Sequence, residues 1–174
     1  MIVGIFMFVQ DRFDIFEVTF RDEVVEEIKE IANIESKIED NSVENVNDNE
    51  QYVEISISNG LSVRVNVDIA DTDLKRSRGL SGRKYLGDYE GMFFIFDSEV
   101  INPFWMKDML IPLDILFIDS DNYIVDIREI QQPCVDSYCP SISSKESFQY
   151  VLEVNSGFCE ENRIEEGYHV VQYL

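Results

Sequence analysis

Histidine is nearly absent from this chain. His169 is the single copy in 174 residues, and there is no Gly-x-Ser-x-Gly element, phosphate-binding glycine loop or histidine pair. A Ser-His-Asp or Cys-His enzyme is therefore not expected. Cations are scarce as well: 14 Lys and Arg stand against 35 Asp and Glu, a formal net charge of -21. Such a charge opposes binding to nucleic acid or to an anionic membrane. It also suits a halophilic or high-salt host, where salt screens the self-repulsion of an acidic surface. No apolar run approaches the ~20 residues that span a bilayer. Residues 1–9 (MIVGIFMFV) lack a basic start and a small-residue cleavage site, so they read as an ordered strand rather than a leader, and a soluble, cytoplasmic protein is expected.

Cysteine is both rare and odd in number. Three residues cannot form a fully paired framework within one chain. Cys134 and Cys139 lie in a short loop flanked by Pro133 and Pro140, where a disulfide staple or a pair of reduced thiols fits, and Cys159 reads as a free or buried thiol. The three cysteines and His169 match no usual zinc spacing. No metal or other cofactor is expected.

What is present is a hydrophobic fraction of 45%, enough for one main domain with a core. Composition shifts near residue 34, after which the chain to Glu50 is polar and acidic. Residues 1–50 are expected to be an acidic arm and linker, with a strand around Phe13–Phe20 and an amphipathic helix carrying Val24, Val25, Ile28, Ile31 and Ala32. The apolar stripe of that helix is expected to be covered either by the main domain or by a protein partner.

Residues 51–174 read as a β-rich domain. Two alternating segments, 52–58 and 61–67, flank Asn59-Gly60, the signal for a two-residue hairpin turn. A short helix with an acidic start and a glycine end follows over 71–80. Further strands are expected at 91–96, 104–106, 113–118, 123–130, 148–154 and 168–173, with a turn at Asp121-Asn122. Many short strands separated by turns predict a mainly β (α+β) fold: a small barrel-like antiparallel or mixed sheet with one or two short helices.

The residues that invite a chemical reading are charges set in apolar or aromatic surroundings. Lys75, Arg76, Arg78, Arg83 and Lys84 form a positive island. Lys75, Arg76 and Lys84 are expected to pair with local acids on a solvated helix face, while Gly79 and Gly82 allow sharp turns that would fix the guanidinium groups of Arg78 and Arg83. In the run from Phe104 to Ile118, strand alternation would send Trp105 and Lys107 to one face, a cation on an aromatic floor. Asp108, Asp114 and Glu153 are acids in or beside apolar runs, each readable as half of a buried ion pair or as a functional carboxylate.

Five motifs then agree in order and spacing. Arg78-Gly79-Leu80-Ser81-Gly82-Arg83, Gly91-Met92-Phe93-Phe94-Ile95-Phe96, Phe104-Trp105-Met106-Lys107-Asp108, Ile111-Pro112-Leu113-Asp114-Ile115 and the segment Tyr150 to Gly157 resemble domain of unknown function family 192, over about residues 61–174. The resemblance implies a small, mainly β domain of roughly barrel shape, found in bacteria and archaea and often exported in bacteria, with no established reaction. The chain departs from the family's usual pattern at Leu80-Ser81-Gly82 and at Tyr168, which stands where relatives favour aspartate.

The leading expectation is a small-ligand-binding module. Arg78, Arg83 and Lys107 would hold an anionic or polyhydroxylated molecule against Trp105, Phe104 and Met92, with Asp108 and Asp114 orienting the cations. The alternatives are an enzyme with Asp108 or Glu153 as general base, and a structural or partner-recruiting domain whose charges are all paired in the core.

Overall fold

The structure, a computed structural model, describes residues 50–134 and 138–174. The strand and helix expected in the arm lie outside the described residues. The described part opens with a hairpin, β1 (Tyr52–Ser56) and β2 (Ser62–Ala70), paired antiparallel. The turn is not the two-residue one that Asn59-Gly60 suggests. Ile57 N donates to Leu61 O at 2.9 Å, and Ser58–Gly60 form a single 3-10 turn with Gly60 at φ 74. The strands themselves require this. A two-residue loop would set Val53 opposite Asn66, whereas the three-residue loop sets Val53 opposite Val65 and Ile55 opposite Val63, keeping apolar side chains on one face.

The helix α1 (Asp73–Arg78) follows. The Thr72 side chain accepts from Lys75 N at 3.3 Å, and Gly79, at φ 48, ends the helix. It lies in the crossover from β2 to β3 (Glu90–Val100), which pair parallel and therefore need such a connection. The remaining elements are β4 (Leu113–Ile118), β5 (Ile124–Gln131), β6 (Phe148–Asn155), the helix α2 (Phe158–Asn162) and β7 (Val170–Tyr173). All pairings other than β2 with β3 are antiparallel, in the order β5-β4-β6-β3-β2-β1-β7. The sheet curls into a half-barrel whose two edges meet at one end. There Ile124 N donates to Tyr168 O at 2.9 Å and Gly167 N to Ile124 O at 2.7 Å.

Both faces of the central strands are covered. Val53, Ile55, Val65, Phe93, Leu116, Leu152 and Phe158 fill the concave side. On the other side Phe94, Leu113, Ile115, Phe117 and Val151 lie beneath Leu80, Leu86, Met106 and Met109, which come from the loops around residues 80–112. This double cover explains why all six residues of β4 are buried. It also explains why the strand expected at 104–106 does not form. Phe104 makes one isolated bridge to Ile142 and sets its ring edge-on against Phe94, at 5.4 Å, and Phe117, at 5.7 Å. Burying such a ring contributes roughly 1.5–3 kcal/mol, so the segment lies across the sheet as a lid instead of joining it.

Candidate functional site

A cleft of about 280 Å³ opens where α1 and the turn after it face the segment 102–109. Its wall is aromatic, with Phe94, Phe96, Phe104 and Trp105, and its rim is polar, with Asp73, Arg76, Ser77, Arg78, Ser81 and Asn102. Backbone and side-chain hydrogen bonds hold the two sides together. Gly82 N donates to Asp108 O at 2.9 Å, and Ser81 Oγ to Lys107 O at 3.3 Å. Arg76 folds back from α1 over the Phe96 ring, 5.0 Å from its centroid, and donates to Ile95 O at 2.5 Å while pairing with Asp73 at 2.6 Å. On the far side Cys134 N donates to Met106 O at 3.2 Å, and Cys134 is bonded to Cys139, with Cα atoms 5.1 Å apart.

Glu153 lies at the floor of this cleft. It sits on β6, the strand between β3 and β4, opposite Met92 and Ile115. Only 6% of it is exposed, and its carboxylate makes no hydrogen bond or ion pair among the described residues. Burial pushes its carboxyl group up to about 8, because no nearby cation or N–H offsets the loss of water around the charged form. Close approach of β3 creates the setting. A Cβ on Gly91 would stand 2.7 Å from Glu153 O, so only glycine lets the two strands meet here.

The other sequence-predicted residues fall in different places. Trp105, 51% exposed, and Arg78 line the cleft, and Arg78 makes no ion pair among the described residues. Lys107 and Asp108 are exposed and do not line it. The chain turns at these two residues, with Asp108 at φ 59, so Trp105 and Lys107 do not share a strand face as alternation suggested. Arg83 pairs with Asp68 at 2.5 Å and lines a neighbouring hollow together with Met92.

Asp114 is fully buried and joins no ion pair among the described residues. Its Oδ1 accepts from Ile130 N at 2.8 Å, and its Oδ2 from Gly157 N at 3.1 Å and Cys159 N at 3.0 Å. It thereby fastens the bulge where Glu129 and Ile130 of β5 oppose one residue of β4, with Ile130 at φ 54, and the start of α2. Burial and the Asp114 carboxylate together push the Cys159 thiol up, leaving it an inert core residue.

Sequence reasoning treated Arg76 as a surface pair and passed over Phe96, Asn102 and the buried Asp126. Asp126 pairs with Arg128 at 3.0 Å and Lys145 at 3.1 Å. The acid at the centre of Val125-Asp126-Ile127 was the available signal. Among the described residues, no group of three or more His, Cys, Asp or Glu converges as a metal site, and no helix is long and apolar enough to cross a membrane.

A curled seven-stranded half-barrel of this topology defines a fold class of small β domains. Solved structures share it. A "putative transcription regulator" from Sinorhizobium meliloti is similar with a TM-score of 0.66 and 30% identity, covering 71% of this chain and 93% of its own. A protein of unknown function from Novosphingobium aromaticivorans is similar with a TM-score of 0.64 and 28% identity, covering 69% of this chain and 83% of its own. No curated protein matches the chain. The chain belongs to domain of unknown function family 192, described as Uncharacterized ACR, whose profile matches residues 53–172.

Proposed function

We propose that the protein is a small-molecule-binding module and that the cleft above Glu153 is its site. The observation that carries the reading is a carboxyl group, 6% exposed and with no protein partner among the described residues, facing a cavity walled by aromatic rings. A carboxyl group largely withdrawn from water with no protein partner is disfavoured, and a site whose ligand supplies the missing partner is a reason for it to persist. Arg78 and Asn102 at the rim suit an anionic or polyhydroxylated molecule. Arg83, Lys107, Asp108 and Asp114, all candidates from sequence, have no direct part in this reading. A chain of net charge -21 is a poor partner for DNA, so the regulatory role named for the Sinorhizobium protein is not adopted.

The test is a thermal-shift screen of small anions, sugars, nucleotides and peptides at low and high salt, on the full chain and on Arg78→Ala. A ligand at ~100 times its Kd adds about 2.7 kcal/mol of stability. A hit that weakens in the variant supports the reading. Silence across the panel, with both proteins folded, would leave a structural or partner-recruiting domain.

The raised carboxyl of Glu153 also favours a second reading, an enzyme in which it serves as the general acid-base group. Turnover of any ligand found by the screen, abolished in Glu153→Gln, would establish it. We also propose that residues 51–174 fold without the arm. A truncation that aggregates or lacks a cooperative melt would overturn this.

A further inference from the structure

Resting on the reading that the cleft binds a small molecule, we infer that its ligand is an organic carboxylate on a planar or apolar body. Arg78 would hold it at the rim, and Glu153, in its acid form, would donate a hydrogen bond to it at the floor. The charge balance of the cleft points this way. Its charged side chains are Asp73, Arg76, Arg78 and Glu153. Asp73 and Arg76 cancel each other in a pair at 2.6 Å, which leaves Arg78 as the cation that a ligand meets. Glu153 brings no compensating negative charge near neutral pH. Its neighbours across β3 and β4 are Met92 and Ile115, so no charged group on those strands opposes desolvation, and burial holds its proton until pH is about 8.

The two ends of the cleft therefore ask for the same kind of group. A protonated carboxyl offers one O–H donor beside its carbonyl acceptor, and a guanidinium offers only donors, so a ligand acceptor atom can be met by both. An ammonium ligand would face Arg78 directly, and pairing it with Glu153 would need that group to lose its proton to solvent. A carboxylate needs neither. The rings of Phe94, Phe96 and Phe104 wall the rest of the cleft and suit an apolar body, and a volume of about 280 Å³ is at the small end for ligand pockets. A single-ring or short-chain acid fits.

Matched probes separate the possibilities: benzoate and hexanoate as carboxylates, benzylamine and hexylamine as cations, benzyl alcohol and hexanol as neutral analogues, titrated by calorimetry against the full chain from pH 6 to pH 9.5. The expected result is that a carboxylate binds at least about tenfold tighter than its amine or alcohol. Its affinity should be nearly flat from pH 6 to 7 and fall about tenfold by pH 9, as Glu153 loses its proton. Glu153→Gln, which keeps a donor and cannot ionise, should abolish that fall. Arg78→Ala should weaken the carboxylate by about tenfold or more and leave the alcohol unchanged.

An amine or alcohol that binds more tightly than the carboxylate would overturn the inference while leaving a binding cleft in place. So would carboxylate affinity that rises between pH 7 and 9. Absence of binding by every probe, with the protein folded, would remove the binding reading and the inference together.

Discussion

Asp114 and Glu153 are buried carboxylates on adjacent central strands, one rung apart in the pairing of β4 with β6, yet they sit in opposite surroundings. Asp114 accepts three backbone N–H bonds from two other parts of the chain. Glu153 accepts none among the described residues and faces a cavity. Burial is common to both, so burial alone does not distinguish a structural acid from a functional one. The decisive property is whether the protein itself satisfies the charge. By that criterion the Asp114 region is a joint between β4, β5 and α2, and the Glu153 region is where, on the reading proposed above, a ligand would complete the hydrogen bonding.

Mutations sharpen this contrast, and the largest effect is expected at the joint. Asp114→Ala leaves three N–H groups without acceptors, in surroundings that exclude water, and should destabilise the protein by roughly 3–5 kcal/mol. Urea unfolding at pH 7 measures it; a loss below about 0.5 kcal/mol would show that the joint is dispensable.

Glu153→Gln should act in the opposite direction, with a defined pH dependence. Below pH about 4.5, the ordinary carboxyl value, Glu153 is protonated in both folded and unfolded chains and contributes no difference. As pH rises toward about 8 the unfolded chain ionises while the folded one keeps its proton, so the wild type loses stability across that window, and above it the loss is complete. The Gln variant escapes this loss. It should be more stable than wild type by roughly 3–5 kcal/mol at pH 9 and nearly equal at pH 4. Equal denaturation midpoints at pH 9 would mean that Glu153 is ionised and satisfied, and the contrast with Asp114 would collapse.

Gly91→Ala places a Cβ against Glu153 O and should cost about 2 kcal/mol through overpacking of β3 on β6. Its effect on ligand affinity should exceed that of Asp114→Asn, because it displaces the strand that carries Glu153. The smallest change is expected at Arg83→Ala, which removes a half-exposed pair with Asp68 and should stay within about 1 kcal/mol. A thermal melt with a drop equivalent to more than about 2 kcal/mol would instead make Arg83 a strut of the turn after α1.

Much of the fold was legible because local patterns determine it. The expected strand at 113–118 matches β4, and those at 91–96, 123–130 and 148–154 match β3, β5 and β6 with end shifts of a few residues. The hairpin was legible too, but not its turn. The odd-numbered apolar residues on both sides, Val53, Ile55, Ile57, Leu61, Val63 and Val65, demand a loop of odd length, a constraint stronger than the preference of Asn-Gly for a two-residue turn. The site was legible only in part. Arg78 stands out beside a turn glycine, and Trp105 and Glu153 within apolar runs that carry charges, and all three line the cleft. Lys107 and Asp108 stood out for the same reason and lie outside it, because the strand that would have aligned Lys107 with Trp105 is a turn.

By itself, the sequence determined the alternation of the strands, the caps of α1, the family and the presence of acids inside apolar runs. All of these depend on neighbours a few residues apart. Tertiary structure decided which of those acids is satisfied. The donors to Asp114 come from residues as far as 45 positions away, and the cleft over Glu153 exists because β6 is inserted between β3 and β4 while the segment around Phe104 is laid across them. Burial and hydrogen bonding of a side chain depend on what the folded chain brings around it, and a one-dimensional pattern carries only the part of that environment that is local.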